Sequence, residues 1–142
     1  MNMKRLIFAI IAGWVVIFAT DMLIHGMWLK PDYEATKNIW RSETDMNARI
    51  AWMFFAQLLC AAAFATVWAK GVGGGSLKCG LMFGIMMGLF QQIWAIVSYV
   101  ILPMPGELAV KWFFSGMVQA ILLGIVTALI YKPATPPAGT TM

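Results

Sequence analysis

The sequence predicts an all-α membrane protein: four transmembrane helices in an antiparallel bundle, with a short interfacial helix between helices 1 and 2. Three observations carry this. Hydrophobic residues make up 61% of the 142 and charged residues only 11%, against roughly 25% charged in soluble proteins. So small a globule keeps much of its surface exposed and cannot hide that apolar excess from water. The apolar residues also gather into four stretches, 6–29, 50–69, 79–102 and 108–131. Each is about 20 to 24 residues, enough to cross ~30 Å of hydrocarbon at helical rise. Between the first two lies a polar, aromatic segment, Lys30 to Arg49. The expected organisation is one domain over 1–132 and a disordered tail, 133–142, rich in Pro, Thr and Gly.

The first stretch follows Lys4 and Arg5 but is too long for a cleavable signal and lacks a clean cleavage site. It is expected to stay as helix 1. The next segment, "KPDYEATKNIWR", places a proline where the first turn of a helix accepts one. Glu34 and Lys37 have the spacing of a helical pair, and Tyr33 and Trp40 would share a face. This predicts the surface helix. "SETD", Ser42 to Asp45, reads as a capping box opening helix 2. Trp28, Trp52 and Trp112 fall near one boundary, as an aromatic belt does.

"GVGGGSLKCG" between helices 2 and 3 lacks the spacing of a phosphate loop and reads as a flexible hairpin. Cys60 falls mid-span and Cys79 near a span's end, too far apart in depth for a disulfide. No CxxC motif supports thiol–quinone exchange. Basic residues divide five against five between the two sides, so the loop count leaves orientation tied. The basic start "MNMKR" decides for both termini inside. The predicted location is the bacterial inner membrane, with the lipid bilayer as partner and no nucleic acid.

Helices 3 and 4 carry small residues every fourth position: Gly80, Gly84 and Gly88 on one, Gly116, Ala120, Gly124 and Ala128 on the other. This spacing sets each series on one face, where backbones approach closely in lipid. The two seams are expected to pack on each other, Gly84 and Gly88 near the depth of Gly124; a homodimer through one seam is the rival.

The polar residues inside the spans are the candidate site. Asp21 and the sole histidine, His25, are four apart on helix 1, ~12 Å and ~6 Å from its end at Leu29. Gln57 lies ~10 Å down helix 2, and Gln91 lies near the centre of helix 3. On helix 4, Glu107, Lys111, Ser115 and Gln119 form a stripe with the same spacing. Asp21, His25, Gln57, Gln91, Lys111, Ser115 and Gln119 are therefore expected to line one polar pocket opening to the outer face. Side chains lean toward a helix's amino terminus, which aims Asp21 away from Lys111. Gln57, Gln119 and Ser115 are its expected partners, and Glu107 and Lys111 are expected to pair with each other or with His25.

"TDMLIHGMWLKPDYEATKNIWR" resembles the start of a group of small uncharacterised bacterial four-helix membrane proteins. In them an Asp…His-Gly ending of helix 1 leads into a polar, aromatic loop. The resemblance implies the four-helix plan and no activity. Small multidrug transporters share four short helices and an acid in the first, but this chain has a long first loop and an aspartate in the outer half.

No nucleophile–base set, metal cluster or cofactor motif is present, so no cofactor is expected. Met22 and Met27 flank His25, but twelve methionines spread along the chain read as packing rather than a copper site. The leading expectation is a non-enzymatic inner-membrane protein, an accessory subunit or a binder of a small polar ligand. The alternatives are a proton-coupled transporter acting as a dimer and a lipid- or quinone-handling enzyme using Asp21 and His25 as an acid–base pair. Asp21 itself has two open roles: a structural lock bonded to a glutamine, or a proton or ligand site.

Overall fold

The computed structural model describes residues 1–132, and all regular structure among them is helical. The tail 133–142, expected to be disordered, lies outside the described residues. Six α-helices succeed one another: α1 (Met3–Leu23), α2 (Lys30–Ala35), α3 (Glu43–Asn47), α4 (Ile50–Val67), α5 (Leu77–Ile101) and α6 (Gly106–Ile130). α1 and α4 each continue into a wider π-type turn, Ile24–Trp28 and Trp68–Val72. Four helical stretches are long and apolar enough to cross a membrane: Met3–Trp28, Ile50–Val72, Leu77–Ile101 and Gly106–Ile130.

Local chemistry sets the boundaries. α1 starts earlier than the apolar run because the Asn2 side chain accepts the Arg5 N–H, satisfying a donor that the first turn leaves free. Ser76 does the same for Cys79 at the start of α5. Ser42 also caps, accepting from Asp45 N–H, but it opens the short α3 rather than the second long helix. Asp45 does not complete a capping box. Its carboxylate is drawn off by Arg41 and Arg49 instead. Pro31 sits in the first turn of α2, yet that helix ends at Ala35, short of Lys37 and Trp40. The expected Glu34–Lys37 helical pair is thus lost. Thr36 turns the chain: its hydroxyl donates to Asp32 C=O and accepts the Trp40 indole N–H. After α4, Gly73 adopts φ +71°, a left-handed conformation that side chains disfavour.

α5 packs most extensively on α6, and α1 lies between α4 and α6. The α5–α6 seam is built from small residues, and residue numbers fall along α6 as they rise along α5. Gly80 faces Gly124 and Ala128, Gly84 faces Ala120 and Ile121, and Gly88 faces Ala120 and Met117. Gly124 thus sits beside Gly80 and Gly84, one turn from the expected Gly84–Gly88 register. The residues between the helices, "LPMP", begin and end in extended conformation, at Leu102 and Pro105. Gly116 leaves the seam and faces the Gln92 amide. The two seams thus pack on each other within one chain.

α4 and α5 touch mainly toward one end, where Phe83 of α5 packs between Phe64 and Trp68. Leu6, Ala9, Ala65, Trp68, Ala128 and Tyr131 form the core there. At the other end Leu29, Met104 and Leu108 form a separate core beneath α2 and the turn after it. Apolar side chains cover the outside: Trp52, Phe90 and Val100 are 72%, 74% and 78% exposed. In water such a surface would be unstable, whereas lipid solvates it.

Candidate functional site

The π-type turn that ends α1 sets the positions of Asp21 and His25. Leu29 N–H reaches back to Ile24 C=O at 2.8 Å, one residue further than an α-helical bond. Such a turn inserts a residue and rotates the chain beyond it. Asp21 precedes it and points toward α4 and α6. His25 lies within it and points toward α2.

Asp21 is held from both sides by amides. Gln57 Nε2 donates to Oδ2 at 2.6 Å, and Gln119 Nε2 donates to Oδ1 at 2.7 Å. Gln119 also donates to Thr20 Oγ1 at 2.6 Å. The Thr20 hydroxyl in turn gives its hydrogen to Val16 C=O at 2.7 Å. Thr20 can therefore only accept from Gln119. That fixes the Gln119 amide with its NH2 toward α1, since the reverse orientation would set its oxygen against two acceptors.

Gln57 is different. Only 7% of it is exposed, and its Oε1 is buried without a hydrogen-bond partner. A buried acceptor left unpaired costs about 1–3 kcal/mol. Both Gln57 and Asp21 line a cavity of about 210 Å3, together with Cys60 of α4, Gln91 of α5, Gln119 of α6 and apolar Ile17 and Leu123. All four long helices contribute to its wall. Gln91 reaches across from α5 toward Cys60 Sγ at 3.8 Å. Its exposure marks the cavity's mouth between α4 and α5, which are not close-packed there.

A second cavity, about 350 Å3, shares Gln91 and Gln119 with the first and extends toward α2. His25, Gln92, Trp94, Ser98, Trp112 and Ser115 line it. Above it lies an aromatic cap. Trp112 Nε1 donates to Tyr33 Oη at 2.8 Å, and Tyr33 Oη meets His25 Nδ1 at 2.6 Å. Tyr33 stacks on His25 and packs edge-on to Trp40. Burial pushes the Tyr33 phenol up to about 12, so at neutral pH it stays protonated beside His25.

The predicted residues therefore divide. Asp21, Gln57, Gln91 and Gln119 meet at the first cavity; His25 and Ser115 line the second, with Gln91 and Gln119 in common. Ser115 does not reach Asp21, because its hydroxyl bonds back to Trp112 C=O. Lys111 lines neither cavity. It pairs with Glu107 at 2.8 Å and with Asp32 of α2 at 2.9 Å. Glu107 and Lys111 thus pair as expected from their spacing, but Tyr33, not either of them, takes His25. Thr20, Asp32, Tyr33, Cys60 and Trp112 were not singled out for the site from sequence. For Cys60 a signal existed: three residues from Gln57, it shares that helix face. For Asp32 and Tyr33 none did, since nothing local says that α2 folds back over α6.

No protein-family model matches the chain, and no curated protein or solved structure matches it either.

Proposed function

We propose that this is a non-enzymatic, multi-pass protein of the bacterial inner membrane that binds a small polar ligand in the cavity at Asp21, alone or as an accessory subunit of a larger complex. In this reading the four long helices cross the bilayer as an antiparallel bundle with both termini in the cytoplasm. α2 rests on the outer surface, and the second cavity is the approach from that side. The observation that carries the reading is Asp21 with Gln57. An aspartate and a glutamine whose amide oxygen is buried without a partner line one cavity inside an apolar protein. Polar groups in such places are costly and are retained where they bind or transfer something. Asp21 and His25 line different cavities, so their shared helix face does not favour acid–base chemistry on one substrate.

Cys60 lies in the cavity wall and reports directly on it. In Cys79→Ser protein in detergent or nanodiscs, the small neutral reagent methyl methanethiosulfonate should modify Cys60 without unfolding. A Cys60 that reacts only after denaturation would mean that no ligand reaches the cavity, and the binding reading would fall.

A further inference from the structure

The hydrogen-bond pattern at Asp21 limits what the ligand can be. We infer that the cavity takes a compact cation carrying N–H donors, an ammonium ion or a small primary amine, with its charged nitrogen against the Asp21 carboxylate. This rests on the reading of the cavity as a binding site and adds the chemical class.

The charge balance comes first. Among the described residues no Lys, Arg or His forms an ion pair with Asp21. Lys111, the basic residue of the α6 polar stripe, is committed to Asp32 and Glu107. Asp21 receives only two neutral amide N–H bonds, one per oxygen. A carboxylate has about four acceptor positions, so half of its capacity is unused.

The donor balance agrees. Gln119 is fixed by Thr20, and Gln57 holds its NH2 toward Asp21, which leaves Gln57 Oε1 buried and unpaired. Among the described residues, no side chain around the cavity supplies the donors that the Asp21 carboxylate still lacks, and Gln57 offers it no more than one. An ammonium group supplies three donors and one positive charge, answering both deficits, whereas a quaternary ammonium supplies charge without donors and an anion supplies neither. Size agrees with a small ligand. At ~30 Å3 per water-sized group, about 210 Å3 holds about seven such groups. That fits an amine with a short carbon chain, which Ile17 and Leu123 would contact.

The rival is a proton. A proton on Asp21 would cancel the charge without a ligand. The test must therefore distinguish charge selection by the cavity from its mere accessibility. In Cys79→Ser protein, Cys60 would be reacted with 2-aminoethyl methanethiosulfonate, a primary ammonium, and with the anionic 2-sulfonatoethyl reagent. Each rate would be normalised to that of a free thiol. The normalised rates should differ by about tenfold or more in favour of the ammonium, as expected for a unit charge a few ångströms away at intermediate dielectric. Asp21→Asn should bring the ratio close to that of the free thiol. Independently of any variant at Asp21, propylammonium should slow methyl methanethiosulfonate at Cys60 saturably, and equal tetramethylammonium or sodium should not. Equal normalised rates, a ratio unchanged in Asp21→Asn, or equal protection by tetramethylammonium would each overturn the inference while leaving an accessible cavity. Failure of the neutral reagent would instead remove the cavity itself.

Discussion

Asp21 and Gln57 are each placed where the other is needed. Asp21→Leu strips the acceptor from both glutamines and leaves the buried Gln57 amide unpaired, at roughly 1–2 kcal/mol. Gln57→Leu removes one donor but also the orphaned oxygen, and should cost less. The double variant should be less destabilised than the sum, because the two side chains share one interaction. Thermal unfolding in detergent reads all three, and additive losses would show that the pair does not act as a unit. Tyr33 gives a pH-dependent counterpart. Its folded value of about 12 lies above the ordinary 10.0, so its contribution is complete below pH ~10 and is lost as pH rises toward ~12. Tyr33→Phe should flatten the part of the alkaline stability loss that belongs to this phenol. It should also lower stability at neutral pH, since Trp112 Nε1 loses its acceptor.

Between elements, the decisive contact is backbone against backbone. A Cβ at Gly84 would stand 2.7 Å from Ala120 O and Ile121 Cα, atoms that cannot swing aside as a side chain does. Gly84→Leu should therefore force α5 and α6 apart and cost roughly 1–3 kcal/mol. Leu122→Ala, at a position 39% exposed, should cost less. Gly26→Ala is the opposite control. Nothing lies within 4 Å of its added Cβ, so it should leave stability unchanged or raise it by roughly 0.5–1 kcal/mol by restricting the unfolded chain. Equal losses for all three variants would mean that the seam does not hold the helices together.

Across the whole molecule, orientation and the position of α2 can be tested with two thiols. Cys79 is exposed at the end where α5 begins, and Asn38 is exposed just past α2. Thr36 would be a poor probe, being buried and bonded to Trp40. With Cys60 replaced by alanine, an impermeant thiol reagent on intact cells should label Asn38→Cys and not Cys79. The reverse pattern would turn the protein over. Asp32 ties α2 to Lys111 of α6, so Asp32→Asn should loosen that end, seen as faster amide exchange in 30–40 with little change at the Gly84 seam.

Sequence alone determined the helical class, the four apolar stretches and the regular spacing of small and polar residues. These stem from local quantities: hydropathy over a span's length, and a period of 3.6 that puts every fourth residue on one face. It also reached the Gln57–Asp21–Gln119 contact, because side-chain direction is a property of each helix. The tertiary structure decided what depends on several helices at once. The π-type turn at Ile24–Trp28 aimed His25 away from Asp21, and one expected pocket became two cavities that share Gln91 and Gln119. The fold-back of α2 supplied Asp32 to Lys111 and Tyr33 to His25, across 79 and 8 positions of chain. The seam's register, one turn from the count, shows only once α5 and α6 are joined through the extended ends of "LPMP". An amide left without a partner, Gln57 Oε1, can be recognised only when every neighbour around it is in place.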